Sequence, residues 1–190
     1  MSPSAMGDTG DIGVALSQAL LCVTSLGCAL RARQVTGGPA AGFLLQALVA
    51  AGDALSPLCP RVPDVPKATA PPGSWICSVL AQPLVAFGCH RLSGDTATAN
   101  LLLVTVTLVA PVAAALPDDG RVLAGHFVTT LTSGSVLALA ALTGSVTGAV
   151  AAGLVALGDV AAPWGVPWVR AVASVALLGT LREQSRAWRE

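Results

Sequence analysis

The chain has 190 residues and no net charge, and 54% of its residues are hydrophobic while 11% are charged. An ordinary soluble domain is roughly 25% charged, so this composition excludes a typical water-soluble enzyme and indicates a protein of the lipid bilayer. A net charge of zero with no basic run argues against nucleic-acid binding.

Long uncharged runs divide the chain into seven predicted membrane spans. A helix needs about 20 mainly apolar residues to cross the roughly 30 Å hydrocarbon core. The apolar runs are continuous and do not alternate with polar residues, so we predict an all-α, multi-pass transmembrane helix bundle. One transmembrane domain, 12–181, is expected between short polar tails at 1–11 and 182–190. The predicted spans are 12–30, 40–58, 74–90, 97–116, 122–142, 144–161 and 164–181.

The distribution of Lys and Arg predicts the orientation of the bundle. Cytoplasmic loops carry an excess of these residues close to the span ends. Six lie on the side of the predicted cytosolic C-terminus and four on the side of the predicted lumenal or external N-terminus. The six are Arg31, Arg33, Arg91, Arg182, Arg186 and Arg189, and the four are Arg61, Lys67, Arg121 and Arg170. The organelle and the oligomeric state stay open.

The connection from Cys59 to Gly73 is the longest between predicted spans, and five of its residues are proline, which predicts a stiff, extended strap. Cys59 and Cys77 flank this strap on the predicted oxidising side, where a disulfide can form. The alternative is two free thiols. The five cysteines have no close metal-ligand spacing, so neither a metal site nor a cofactor is predicted.

Two aspartates interrupt the predicted spans and are the strongest site candidates. Asp53 lies in LVAAGDALSP and Asp159 in LVALGDVAAP. A carboxylate is costly in hydrocarbon, and such residues usually face a partner, a cavity or the bundle interior. With alternating helix directions, both lie near the outer ends of spans that run the same way. We therefore assign them to a candidate catalytic site.

Other polar residues are expected near the same level. His126 lies in the first turn of span five, and Arg170 lies about two turns into span seven. Gln46 is seven positions before Asp53 on the same helix face. Alternatively, Arg170 neutralises Asp159 and has no other role, and His126 is a solvated residue of a helix start. His90 ends span three on the cytosolic side, where we expect it to anchor the helix at the interface.

The segments AAGDAL and ALGDVA resemble the two acidic motifs of the lysoplasmalogenase-like membrane proteins. That resemblance implies hydrolysis of the vinyl ether bond of a lysophospholipid, with Asp53 as acid and Asp159 as base or charge stabiliser. Two features depart from the family pattern, because the chain contains no tyrosine and carries Gly158 where the family has serine. The whole chain also resembles small uncharacterised vertebrate multi-pass proteins, which implies membrane residence alone.

Three functions are compatible with these residues. The first is a lysoplasmalogenase-like hydrolase, or a non-catalytic relative of that family. The second is a small proton-coupled transporter, and the third is a membrane assembly factor without catalysis. The only partners that the sequence indicates are the lipid bilayer and, for the hydrolase, a lysophospholipid.

Overall fold

The computed structural model describes residues 5–55, 75, 77–160 and 167–187. Within these ranges the chain forms seven α-helices, and a π-helical turn, Cys77–Ala81, leads into the third. The α-helices are α1 (Ala5–Ala32), α2 (Gly37–Leu55), α3 (Gln82–Leu92), α4 (Thr96–Ala115), α5 (Asp118–Thr143), α6 (Val146–Val160) and α7 (Pro167–Ala187).

Among the described residues, four segments are long and apolar enough to cross a membrane: Gly13–Ala32, Gly37–Leu55, Thr96–Ala115 and Asp119–Thr143. Helix α6 is also apolar but has 15 residues, about 22 Å at the usual helical rise. The predicted all-α membrane bundle is confirmed. The number of seven spans stays a prediction.

Six helices form a closed ring in which each packs against the next: α1, α2, α3, α5, α6, α7 and back to α1. Helix α4 lies outside this ring against α3 and α5. Large apolar side chains on the outside are exposed, including Leu16, Leu108 and Leu142. Exposed leucines on so many helices suit a surface that faces lipid.

The core is built mainly from small side chains, which let helices approach closely in a membrane bundle. The closest approach joins α2 and α3. A Cβ atom on Gly88 would lie 1.9 Å from Cγ of Pro39, and one on Gly42 would lie 2.6 Å from the carbonyl oxygen of Ala81. Glycine is therefore required at both positions.

Three short turns lie at one end of the bundle, which we call the turn end. They comprise residues 33–36, 93–95 and 144–145. The last joins α5 and α6 as an antiparallel hairpin. Gly144 there has a φ of 69°, in the left-handed region that glycine adopts without steric cost. Helix α7 also ends at the turn end, where Glu183 accepts a hydrogen bond from Ser145.

Candidate functional site

The end of the bundle opposite the turn end carries the polar residues predicted from the sequence, and we call it the polar end. His126 lies on the third turn of α5 and Asp159 lies at the last turn of α6. Nδ1 of His126 is 2.6 Å from Oδ2 of Asp159. The imidazole is 53% exposed and the carboxylate 16% exposed. The pair thus presents a half-exposed ring above a largely buried carboxylate.

Asp53 and Arg170 form the second part of the polar end. Their side chains interact electrostatically, and both also act on the thiol of Cys77. Helices α2 and α7 and the π-helical turn therefore each contribute one polar group here. Cys59 lies outside the described residues, so its disulfide with Cys77 stays a prediction. Cys77 itself is buried.

The side chain of Arg170 connects the two parts. A Cβ atom on Gly158 would lie 3.3 Å from Cγ of Arg170. The arginine therefore passes directly over the residue before Asp159 while its guanidinium acts on Asp53. The structure places Asp53, Asp159, His126 and Arg170 at one end of the bundle. It also gives Asp159 a partner, His126, that the sequence reasoning did not pair with it.

Gln46 lies deeper in the bundle. Its Oε1 atom accepts a hydrogen bond of 3.2 Å from the hydroxyl of Ser174 on α7. The same hydroxyl is 2.8 Å from the carbonyl oxygen of Arg170. The single hydroxyl proton of Ser174 is shared between these two acceptors. The hydrogen bond between Ser174 and Gln46 joins α2 to α7 one turn after Arg170. The sequence analysis missed Ser174, although its position four residues after Arg170 places it on the same helix face.

A second histidine–aspartate pair lies at the turn end. Nδ1 of His90 is 3.2 Å from Oδ2 of Asp95. Asp95 also accepts a 3.1 Å hydrogen bond from the backbone N–H of Thr98 and caps α4. Hydrogen bonds from Thr98 hold the pKa of Asp95 below its ordinary value. His90 is buried rather than exposed at the interface as we expected, because its ring packs against α5 beside Ser135.

Within the described ranges, no three His, Cys, Asp or Glu side chains are grouped closely enough to hold a metal ion. An imidazole that is hydrogen-bonded to a carboxylate can act as a general base or a general acid. A carboxyl beside an arginine can bind or stabilise charge.

The chain is similar to proteins called transmembrane protein 276. It is 34% identical to that of Homo sapiens over 134 residues, which are 70% of this chain and 67% of the relative. The chain belongs to the transmembrane protein 276 family. The Bos taurus member is 36% identical over 70% of this chain and 66% of its own length. For Rattus norvegicus the identity is 34%, over 70% of this chain and 67% of the relative.

No family model and no solved structure matches this member of the transmembrane protein 276 family. Membership supports the prediction of an integral, multi-pass membrane protein similar to small vertebrate proteins. The comparisons give no support to the resemblance to lysoplasmalogenase-like proteins. A specific activity must therefore be argued from the polar end alone.

Proposed function

We propose that the polar end is an acid–base site in which His126 and Asp159 act together. The observation that carries this proposal is the 2.6 Å contact between Nδ1 of His126 and Oδ2 of Asp159. A carboxylate at Nδ1 favours the tautomer with the proton on that nitrogen and holds the ring in one orientation. Nε2 is then available to exchange protons with a substrate or a water molecule.

The position of the pair suits a substrate that arrives from the bilayer or its interface. Half of the His126 side chain is exposed, whereas Asp159 is largely covered. The imidazole can therefore reach a molecule outside the bundle while the carboxylate keeps its hydrogen bond. Arg170 provides a positive charge nearby, which can interact with the phosphate of a lysophospholipid.

The reaction that we propose for this site is hydrolysis of the vinyl ether bond of a lysophospholipid. Asp53 donates a proton to the vinyl carbon distant from the ether oxygen, which leaves an oxocarbenium ion. His126 removes a proton from a water molecule as that water adds to the cationic carbon, and Asp159 stabilises the imidazolium that forms. The hemiacetal then breaks down to a fatty aldehyde and the free alcohol of the glycerophospholipid.

The test is an assay of the full chain, purified and placed in nanodiscs, with a lysoplasmenyl lipid as substrate and release of the aldehyde as readout. Replacement of a general acid or base should lower the rate about 10²- to 10⁴-fold. We expect losses of that size for Asp53→Asn, Asp159→Asn and His126→Gln. Asp95→Asn is the matched control, because it changes the other histidine–aspartate pair and keeps a residue that caps helices well.

Two results would dismiss the proposal in different ways. If the unmodified protein releases no more aldehyde than empty nanodiscs, the protein is not a hydrolase of this lipid. If His126→Gln and Asp95→Asn are equally active, the activity does not depend on the polar end. An unchanged rate in Asp53→Asn alone would remove only the role of Asp53 as the acid.

We also propose that the polar end faces the lumen or the exterior and that the C-terminus is cytosolic, as the Lys and Arg distribution indicates. The only asparagine, Asn100, is followed by leucine, so the chain has no natural glycosylation acceptor. An Asn-X-Thr acceptor on a short extension of either terminus therefore reports orientation directly. Modification of the N-terminal extension alone is expected, and modification of the C-terminal one would reverse the assignment.

A further inference from the structure

A row of buried polar groups lies between the two histidine–aspartate pairs. On α5, Thr129, Thr132 and Ser133 follow His126 at spacings of three, six and seven residues, which places all four within about a third of the helix circumference. The three hydroxyl residues are 2%, 3% and 9% exposed. The sequence analysis did not single out this row.

Two of these hydroxyls are buried with no hydrogen-bond partner among the described residues. They are Oγ1 of Thr129 and Oγ1 of Thr132, and Oε1 of Gln82 on α3 shares this property. Ser133, in contrast, donates a 2.8 Å hydrogen bond to the carbonyl oxygen of Thr129. A buried polar group without a partner costs about 1–3 kcal/mol, so each of these three groups calls for an explanation.

Gln82, Thr132 and Ser133 line the same small cavity in the middle of the bundle. Its volume is about 10 Å³, close to the smallest that holds one water molecule. The remaining wall consists of apolar side chains from α3, α5, α6 and α7. A single water there can hydrogen-bond with the amide oxygen of Gln82 and the hydroxyl of Thr132, whereas a hydrated metal ion does not fit.

The row continues to the turn end along α3. Gln82 and His90 are eight residues apart and lie close to the same face of that helix. The His90 ring lies beside Ser135 on α5. Its Nε2 atom is buried and the ring interacts with the backbone of Ser135, while Nδ1 is bound to Asp95. The carboxylate of Asp95 is 39% exposed and so reaches the solvent at the turn end.

We infer that this row is a proton path that connects the polar end with the turn end. On α5 the hydroxyl residues follow His126 in steps of three, about 4.5 Å along the axis, a gap that one water molecule bridges. The last of them, Ser135, lies beside the His90 ring, so the path does not have to cross the two helical turns between Gln82 and His90. Each hydroxyl or water accepts a proton on one side as it releases its own on the other, so no group changes its net charge. The path begins at His126, with Asp159 as its partner, and ends at His90 and Asp95.

This inference does not depend on the proposed hydrolysis. The two are separable, because hydrolysis is measured in nanodiscs without a gradient and the path is measured as proton flux across a sealed membrane. A proton path through the bundle is compatible with the alternative function of a small proton-coupled transporter.

The experiment uses the full chain reconstituted in liposomes that contain the pH-sensitive dye pyranine. A potassium gradient with valinomycin makes the interior negative, and the rate of internal acidification is recorded. We expect the unmodified protein to acidify the interior faster than protein-free liposomes. Thr132→Val and Gln82→Leu should each reduce the protein-dependent rate about tenfold, because each removes one hydrogen-bonding step.

Thr130→Val is the matched control, because Thr130 lies on the same helix but is exposed to the outside. It should leave the rate unchanged, and Thr132→Ser should restore the flux because it keeps the hydroxyl. Circular dichroism and gel filtration establish that each variant is folded. Acidification at the protein-free rate, or equal rates in Thr132→Val and Thr130→Val, would overturn the inference.

Discussion

Oδ2 of Asp159 lies 2.6 Å from Nδ1 of His126, and this contact joins the last turn of α6 to the third turn of α5. The two residues are 33 positions apart and meet because the turn at 144–145 folds the two helices into a hairpin. Asp159 therefore has a hydrogen-bonding partner of its own in addition to the positive charge of Arg170 nearby.

The first prediction concerns the energy of this pair. His126→Leu leaves a largely covered carboxylate without its donor, so stability should fall, and Asp159→Leu should have a similar effect. We expect a double-mutant cycle to give a coupling of about 0.5–1 kcal/mol, a small value because the imidazole is half exposed and water screens the interaction. Thermal unfolding in detergent measures it. Fully additive effects of the two substitutions would show that the contact contributes nothing.

The class of the fold could be predicted because apolar runs of about 20 residues can be satisfied only as helices in a bilayer. The hairpin at Gly144 could be predicted too. The packing between helices could not, because core-facing and lipid-facing residues are equally apolar. Leu139 is 5% exposed and Leu142, three positions later, is 87% exposed. Hydropathy gives no sign of which one faces the core.

The same ambiguity explains why the sequence did not predict the partners of the residues in the candidate site. The depth of Asp53, Asp159 and His126 follows from their positions along the helices, and the structure places them at one end of the bundle. Their partners depend on the rotation of each helix about its axis, which nearly uniform apolar sequences do not encode. For this reason the sequence indicated Arg170 only as an alternative partner of Asp159, did not pair Asp159 with His126, and placed His90 at the interface.

The second prediction concerns the start of α6. The hydroxyl of Ser145 accepts a 3.1 Å hydrogen bond from the backbone N–H of Gly148 and donates one of 2.9 Å to Glu183. Loss of such a cap usually costs about 1 kcal/mol, so Ser145→Ala should lower the melting temperature by about 2–4 °C. Ser17→Ala is the control, since its exposed hydroxyl bonds only within its own helix. Equal melting temperatures for both variants would contradict the capping role.

The third prediction concerns the stability of the protein at acidic pH. Asp95 has a pKa below its ordinary value of 3.8, chiefly because Thr98 hydrogen-bonds to its carboxylate. A carboxyl whose pKa is lowered on folding stabilises the protein fully above its ordinary pKa, and this contribution disappears as the pH falls through the lower folded value. Asp95→Asn should therefore melt earlier than the unmodified protein at pH 6, with the difference shrinking toward pH 3. A constant difference between these pH values would show that the carboxylate charge is not responsible.

The fourth prediction concerns the contact of α2 with α3. A methyl group at Gly88 would lie 1.9 Å from Cγ and 2.6 Å from Cδ of Pro39, and a proline ring cannot rotate away. Gly88→Ala should therefore force the helices apart and lower the free energy of unfolding by about 1–3 kcal/mol.

Gly134→Ala is the matched control, because no atom lies within 4 Å of a Cβ placed there. Alanine at an open position within a helix is favoured over glycine by about 0.5–1 kcal/mol, so this variant should be as stable as the unmodified protein or more so. Thermal unfolding in detergent compares the two substitutions, which add the same single methyl group. If Gly88→Ala melts no earlier than Gly134→Ala, then α2 and α3 are not packed as closely as the structure has them, and Pro39 does not fix their separation.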